Sequence, residues 1–267
     1  MSDRPLLAKP GRTPTTRRTC RLRSLEPTRT NFGRVVVVDR SIVDVLLATT
    51  VIGVARPDTI AELAAASRWR TVERNDMLCL AGDRSDSIFV VASGTLRVFT
   101  STANGSEPTI ALRYEGEVVG ELGVLDDLPR SASLAALRRS EVIEVPARAF
   151  RTAYESDPAI ARRMVTLLAD RLRRVTDGLA DMAYLDLGGR LAKYILSESE
   201  RRGRTSFVLN LTQAEMGQLL GGARQTINQA ARSLHDAGLV GLDGRTVTII
   251  DEQGLRLRAM SADGRLE

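Results

Sequence analysis

The feature that most constrains the fold is a narrow apolar stripe in the middle of the chain. A helical pattern runs from Pro158, a residue type suited to the first turn of a helix, to about Leu185. Apolar residues recur within it at alternating steps of four and three: Leu168, Leu172, Val175, Leu179 and Met182. This is the a and d spacing of a coiled-coil seam. Because a seam is narrower than the stripe of a core-facing helix, it favours a homodimer through residues 158–186 over packing on the chain's own core.

Length and composition limit the classes of protein that remain. The chain has 267 residues, of which 43% are hydrophobic and 27% charged, enough for two or three modest domains. No run approaches the roughly 20 apolar residues of a membrane span. Residues 1–34 lack the apolar centre of a secretory signal. We therefore expect a cytoplasmic protein with no membrane association.

Few residues are available for metal or nucleophilic chemistry. Cys20 and Cys79 cannot form a four-thiolate cluster in one chain and are too few for a disulfide framework. The single histidine, His235, removes most zinc, haem and Ser-His-Asp sites. We expect no enzymatic activity, no metal and no iron–sulfur cluster.

The formal charge of +5 is unevenly distributed. Residues 1–34 carry a net charge of +7, which leaves the rest of the chain at −2. That arm has scattered prolines and no apolar period, so it is predicted to be a disordered tail. A polyphosphate-binding role is the alternative. Residues 255–267 are predicted to be a second tail.

Short strand-like runs separated by glycine turns fill the region from about residue 68 to residue 146. The runs are Met77–Leu80, Ser87–Ala92, Thr95–Thr100, Thr109–Arg113 and Glu141–Val145. Predicted helices flank them at residues 58–66 and 147–155. This pattern predicts a β-roll domain over residues 45–157.

A glycine-rich turn near the last strands predicts a phosphate site. A turn that leads into a short helix exposes backbone N–H groups, which suit an anion. Glu121 can accept a hydrogen bond from a ribose hydroxyl, while Arg130 offers a planar fork to phosphate oxygens and Ser131 a hydroxyl. The alternative for so short a motif is a structural turn with a surface Glu–Arg ion pair.

Two predicted helices in the C-terminal region are separated by a glycine pair. They cover residues 211–220 and 223–234, with Gly221-Gly222 between them, and the Asp243-Gly244 hairpin signal follows. This order predicts a winged helix-turn-helix over residues 187–254. Polar side chains project outward near the start of the second helix: Arg224, Gln225, Asn228 and Gln229. Arginine suits guanine and glutamine or asparagine suits adenine, which favours DNA binding over a merely solubilising face.

Both motif sets resemble one family. The residues Gly120-Glu121-Leu122 and Pro129-Arg130-Ser131-Ala132 resemble the phosphate cassette of the cyclic-nucleotide-binding domain. The hinge Asp186-Leu187-Gly188-Gly189-Arg190 and the helix-turn-helix resemble those of the Crp/Fnr superfamily of transcriptional regulators. The resemblance implies an α+β chain with a β-roll sensor of double-stranded jelly-roll type, a long dimerisation helix and a winged helix-turn-helix.

For the sensor, the resemblance implies an allosteric cyclic nucleotide. Glu121 would hold the ribose 2′-hydroxyl, and Arg130, Ser131 and nearby amides the cyclic phosphate. The implied site comprises Gly120, Glu121, Leu122, Arg130, Ser131 and Thr176. Thr176 preserves one of two hydroxyls that read the base in cyclic-AMP receptors, whereas Val175 departs from that pattern. Cyclic AMP is favoured, cyclic GMP is one alternative, and a degenerate pocket with constitutive action or another effector is a second.

For the DNA-binding domain, the resemblance implies a roughly palindromic double-stranded site and RNA polymerase as a further partner. Base contacts would come from Arg224, Gln225 and Gln229, and phosphate contacts from Thr212 and Thr226. Gln225 and Gln229 replace the Glu and Arg of the cyclic-AMP receptors, so the operator is expected to favour A over C or G at those steps. An enzyme regulated by a cyclic nucleotide is an alternative from another functional class, but the sensor, the long helix and the DNA-binding domain leave no residues for a catalytic domain.

Overall fold

A computed structural model of the chain describes residues 40–260. The arm predicted for residues 1–34 and residues 261–267 of the predicted second tail lie outside the described residues. The sensor elements, in chain order, are α1 (Ile42–Leu47), α2 (Pro57–Ala66), β1 (Arg68–Val72), β2 (Met77–Cys79), β3 (Ser87–Ser93), β4 (Thr95–Phe99), β5 (Thr109–Tyr114), β6 (Val118–Val119), α3 (Leu122–Leu125), β7 (Ser133–Ala136), β8 (Ser140–Pro146) and α4 (Ala147–Ser156).

Two antiparallel four-stranded sheets form the roll, in the strand orders β1-β8-β3-β6 and β2-β7-β4-β5. Strand β3 is buried on both faces. Ile88 and Val90 pack beneath the flanking helices, while Phe89 and Val91 pack between the two sheets. Burial on both faces explains why β3 is a continuous apolar run rather than an alternating one.

The remaining elements are α5 (Pro158–Tyr184), α6 (Leu187–Arg202), β9 (Ser206–Val208), α7 (Gln213–Leu220), α8 (Arg224–Asp236), β10 (Val240–Asp243), β11 (Thr246–Ile249) and α9 (Glu252–Arg258). The last three strands form one antiparallel sheet in the order β10-β11-β9, with β10 and β11 as the predicted hairpin. The α+β class, with its β-roll, long helix and winged helix-turn-helix, is confirmed.

Helix α5 is anchored at its start and exposed along its seam. Asp157 caps it, accepting from the Ala159 N–H at 3.1 Å, and Ile160 and Met164 are buried in the sensor core. Farther along, the predicted seam leaves the core, and Leu172 and Leu179 are 67% and 65% exposed. None of the helices in the described part of the chain is long and apolar enough to cross a membrane.

Four elements of the sensor do not show in the sequence pattern. They are helix α1 and strands β1, β6 and β7. Strand β1 begins with two arginines around Trp69 and is mostly exposed, so it lacks an apolar period. Strand β6 has two residues, and β7 is built largely from small ones. Tertiary pairing rather than local propensity makes these segments strands.

Two predictions about the C-terminal domain are wrong. The second tail does not begin at residue 255, because Asp251 caps helix α9 and Leu255 is fully buried in the domain core. The sequence pattern also predicts that the paired glycines of the hinge precede a helix over residues 190–200, but they lie within α6. They are needed there because a Cβ at Gly188 would lie 2.4 Å from the Arg258 guanidinium, which is bonded to Asp186.

Candidate functional site

A small cavity lies where the second sheet, α3 and α5 meet. Its volume is about 80 Å³. The lining residues include Cys79, Val98, Arg113, Val119, Gly120, Glu121, Leu122, Gly123, Arg130, Ser131, Ala132, Ser133, Leu134 and Arg171. Five of the six nucleotide-site residues predicted from the sequence therefore meet at one place. The cavity is small beside the roughly 300 Å³ at which ordinary ligand pockets begin.

Arg130 is held at the floor of the cavity by the protein's own backbone. Its Nη1 donates to the Gly120 carbonyl at 2.8 Å, and its Nη2 donates to the Ser87 carbonyl at 2.7 Å. Its guanidinium also lies 5.5 Å from the centre of the Phe89 ring. The buried Nε has no hydrogen-bond partner in this structure. The alternative considered from the sequence, a surface ion pair between Glu121 and Arg130, is wrong. Arg130 is buried, and two backbone carbonyls hold its guanidinium.

Gly120 is required by that arrangement. Its φ is +83°, a conformation that side-chain-bearing residues rarely adopt, and a Cβ there would lie 2.5 Å from Arg130 Nη1. The backbone turn and the position of the guanidinium are therefore set by the same residue.

Glu121 faces the cavity with one oxygen paired and one free. Its side chain is 2% exposed, and Oε1 accepts from Nη1 of Arg171 on α5. The same guanidinium donates to the Val118 carbonyl through Nη2. Oε2 is buried without a partner. Because an unsatisfied buried acceptor is costly, Oε2 is a natural place for a ligand hydroxyl.

Positive charge exceeds negative charge in the lining of the cavity. The lining contains the guanidinium groups of Arg113 on β5, Arg130 and Arg171 against the carboxylate of Glu121. Outside the lining, Glu117 lies 3.7 Å from Arg113 and Asp86 lies 4.0 Å from Arg130. Burial lowers the pKa of Arg113, and the neighbouring Arg171 lowers it further. Three guanidinium groups in a poorly solvated space favour an anionic ligand.

The sixth predicted residue lies elsewhere. Thr176 is exposed on α5, does not line this cavity, and donates its hydroxyl hydrogen to the Leu172 carbonyl at 3.0 Å. Sequence reasoning missed Arg171 and Arg113. A signal for Arg171 existed, since it lies one helical turn before the Val175-Thr176 pair that was matched to base-reading positions.

The helix-turn-helix is built as the sequence predicts. Thr212 caps α7, and its hydroxyl accepts from the Glu215 N–H at 3.2 Å while the Glu215 carboxylate accepts from the Thr212 N–H. Gly217 allows the backbone of the turn to lie directly against α7, because a Cβ at Gly217 would lie 2.3 Å from the Gly222 carbonyl oxygen. Ile227 of α8 is fully buried in the domain core.

The predicted DNA-reading side chains lie together on the exposed face of α8. Arg224, Gln225, Thr226 and Gln229 are all exposed. Asn228 differs from its neighbours: it is half-buried and hydrogen-bonded to Gln213 of α7. It was expected to project outward with the others, but its amide group is engaged within the domain.

The DNA-binding domain contacts the outer face of the second sheet. Tyr114 of β5 donates its hydroxyl hydrogen to Glu198 of α6 at 2.9 Å, and the Arg201 guanidinium lies 3.8 Å from the centre of the Tyr114 ring. Burial opposes ionisation of Glu198, but hydrogen bonds from Arg201 and Arg202 outweigh it and lower its pKa. The preceding residue of β5 is Arg113 of the cavity, so this one strand contacts both the cavity and the DNA-binding domain.

Comparison with known proteins identifies both domains. The family model for the cyclic nucleotide-binding domain matches residues 69–157, and that for the Crp-like helix-turn-helix domain matches residues 189–258. The CRP-like cAMP-activated global transcriptional regulator of Mycobacterium tuberculosis is 28% identical over 208 residues, covering 76% of this chain and 93% of the relative.

Solved structures agree on the fold. FixK2 from Bradyrhizobium japonicum has a TM-score of 0.67 at 20% identity, covering 72% of this chain and 96% of its own. A Crp/Fnr-family transcriptional regulator from Thermus thermophilus has a TM-score of 0.60 at 20% identity, covering 73% of this chain and 100% of its own. With the two domain matches in this order along one chain, the protein belongs to the Crp/Fnr superfamily of transcriptional regulators.

Proposed function

We propose that this protein is a sequence-specific DNA-binding transcription regulator controlled by a cyclic nucleotide bound in the β-roll, with cyclic AMP favoured over cyclic GMP. The observation that carries the proposal is the buried pair of Arg130 and Glu121 in one cavity. Each has a buried polar atom without a partner, Nε of Arg130 and Oε2 of Glu121. A cyclic nucleotide offers the matching groups, an anionic phosphate and a ribose 2′-hydroxyl.

Each residue has a distinct role in this proposal. Arg130 binds the cyclic phosphate with Ser131 at the cavity rim, while Gly120 and Leu122 place the backbone around it. Glu121 accepts from the ribose hydroxyl. Because a phosphate and a guanidinium form strong charge-assisted hydrogen bonds, Arg130 provides most of the affinity and Glu121 the recognition of the sugar.

Ligand binding is coupled to α5 through Arg171. The cavity of about 80 Å³ is too small for a nucleotide, and Arg171 occupies the wall nearest Glu121. A bound nucleotide must therefore change the relation between α5 and the cassette. A ligand that favours one arrangement of α5 shifts the population of whole-protein states, which is the linkage an allosteric regulator needs.

A homodimer through α5 completes the proposed DNA-binding unit. The exposed seam of Leu172, Val175, Leu179 and Met182 supports a second copy of the same helix as its partner. Two copies of α8 about 34 Å apart would then enter successive major grooves of a palindromic site. Arg224, Gln225 and Gln229 would contact bases, and Thr212 and Thr226 phosphates. RNA polymerase is the expected partner of the DNA-bound form.

The small cavity also supports a second candidate. In this alternative the protein binds DNA without a cyclic nucleotide, and the Arg171–Glu121 pair takes the place of a ligand permanently. Val175, which cannot hydrogen-bond to an adenine amino group, supports the same alternative.

Calorimetry on the full chain separates the two candidates. Saturable heat with cyclic AMP or cyclic GMP is expected, and Arg130→Ala should remove it. Arg148→Ala, an exposed arginine on α4, is the matched control and should bind as the parent does. If the folded protein gave no heat with either nucleotide, the first candidate would be excluded and DNA binding without a cyclic nucleotide would remain. Affinity retained in Arg130→Ala would show that the pocket is wrongly assigned.

Selection of binding sites from random duplexes tests the DNA-binding role. A two-fold-symmetric motif is expected, and Arg224→Ala should lose preference at one symmetric pair of positions. A motif without symmetry would contradict the dimer, and unchanged preference in Arg224→Ala would contradict the assignment of α8.

A further inference from the structure

The first residue of α7 contacts two side chains of the recognition helix. Gln213 Oε1 accepts from Nδ2 of Asn228 at 2.8 Å and from Nε of Arg224 at 3.4 Å. Its Nε2 donates to Oδ1 of Asn228. The two amides therefore form a closed reciprocal pair, with one oxygen shared by the Arg224 guanidinium.

This arrangement gives the Nε of the Arg224 guanidinium and its two terminal nitrogens different roles. Its Nε is directed to Gln213 of α7, while the side chain as a whole is exposed. The terminal nitrogens Nη1 and Nη2 remain as an end-on fork. Such a fork matches the O6 and N7 acceptors at the major-groove edge of guanine.

We propose that Gln213 is a positioning residue that sets guanine specificity at the step read by Arg224. Asn228 holds the Gln213 amide and does not itself read a base. The inference rests on the proposed DNA-binding function. A long arginine side chain restrained before binding loses less conformational freedom when it binds, so the restraint favours the base that accepts both terminal N–H groups.

A purely structural role predicts something different. If the amide pair only fastened α7 to α8, its loss would lower stability and weaken binding to every duplex equally. A positioning role instead changes the ratio of affinities for guanine and for the other three bases, with little change in the melting temperature. Discrimination at one base step is therefore the informative measurement.

The test uses the full chain at one fixed salt concentration, because phosphate contacts make all DNA affinities salt-dependent. Dissociation constants are measured for four symmetric duplexes that differ only at the step where Arg224→Ala loses preference. Gln213→Ala is expected to reduce the guanine preference about five- to tenfold, the effect of losing one hydrogen bond of ordinary strength, because the contact to Arg224 Nε is long at 3.4 Å. Asn228→Ala should reduce it in the same direction.

Two further variants keep the test decisive. Gln213→Glu retains an acceptor for Arg224 Nε, so it should keep the guanine preference while weakening all four duplexes alike. Gln253→Ala, an exposed glutamine on α9, is the matched control and should change nothing. Thermal melting of each variant reports on folding.

Three outcomes would overturn the inference. Preference retained in Gln213→Ala but lost in Arg224→Ala would show that Arg224 reads guanine unaided. An equal loss of affinity for all four duplexes, with a lower melting temperature, would show that the amide pair only holds α7 against α8. Preference unchanged in Arg224→Ala would remove the proposed DNA interface itself, and the inference with it.

Discussion

Arg171, in the middle of the long helix α5, donates to the buried carboxylate of Glu121 in the sensor cassette. The two side chains are 16% and 2% exposed, so the ion pair is largely removed from water. It joins the helix that carries the exposed apolar seam to the residue that we propose accepts from the ribose. Energetically, each partner depends on the other, because a buried charge without a counter-charge is strongly unfavourable.

Removal of Arg171 should therefore destabilise the sensor. We expect Arg171→Ala to lower the free energy of unfolding by about 3 kcal/mol, because the Glu121 carboxylate stays buried and unpaired. Urea unfolding followed by the fluorescence of Trp69, the one tryptophan in the chain, measures this in the sensor. Adding Glu121→Gln should recover part of the loss.

Arg173→Ala is the control for that experiment. Arg173 pairs with Asp170 on the exposed surface of the same helix, and an exposed pair contributes about 0.5 kcal/mol or less. Equal effects of the two substitutions would mean that Glu121 is solvated in solution and that the buried pair is absent.

Gly120→Ala should cost more than a positive φ alone explains. At Gly120 a Cβ would strike Arg130, whereas at Gly105, whose φ is +80°, it would meet open space. Gly105→Ala should therefore lose about 1 kcal/mol from backbone strain, and Gly120→Ala should lose more and also weaken nucleotide binding at least tenfold. Melting curves and calorimetry on both variants check this. Equal losses would mean that the Arg130 position does not depend on Gly120.

Leu179→Glu should separate the subunits without unfolding them. Leu179 is already 65% exposed within one chain, so a charge there leaves the chain's own core intact and is buried only in a dimer seam. Sedimentation should show a monomer, with an unchanged circular dichroism spectrum and weaker binding to a palindromic site. Ala180→Glu adds the same charge on the face away from the seam and should remain dimeric. A dimeric Leu179→Glu would show that α5 is not the interface.

Glu198 should make the stability of the docked domains depend on pH. Its pKa is lowered below the ordinary value of 4.5, so the ionised form stabilises the folded state at neutral pH. That contribution is present above pH 4.5 and is lost as the pH falls through the lowered pKa. We expect Glu198→Gln to cost about 2 kcal/mol at neutral pH and to match the parent in more acidic solution.

Glu200→Gln provides the comparison on the same helix. Glu200 is mostly exposed and pairs with Arg256 at the surface, so its effect should be small at every pH. Denaturant unfolding from pH 3 to pH 7 measures both variants. A constant difference between Glu198→Gln and the parent over that range would contradict the assigned pKa direction.

Local sequence patterns were sufficient to predict the elements whose side-chain spacing or turn residues are characteristic of one structure. The seam of α5, the start of that helix at Pro158 and the hairpin Asp243-Gly244 each follow from spacing and turn chemistry. Local patterns failed to predict the elements whose structure depends on packing against residues distant in the sequence. Strand β7 is a strand because β2 and β4 pair with it, and Leu255 belongs to the core because α9 folds back beside α6.

The same division applies to the candidate sites. Motif spacing located Glu121 and Arg130, but the contact from Arg171 spans 50 positions in the sequence, and only its place one helical turn before the Val175-Thr176 pair pointed to it. On the recognition helix, helical periodicity placed Asn228 on the outer face. It could not reveal that Gln213, on another helix, engages that amide.

Strand β5 lies at the edge of its sheet and presents alternate residues to different domains. Leu112 packs outward against the core of the DNA-binding domain and Tyr114 outward against α6, while Arg113 points inward to the cavity. A slip by one residue would place a guanidinium against an apolar core and a phenol in the cavity. The register of β5 is therefore fixed from both of its faces, because the polar cavity and the apolar core of the DNA-binding domain each accept only one of the two alternating sets of side chains.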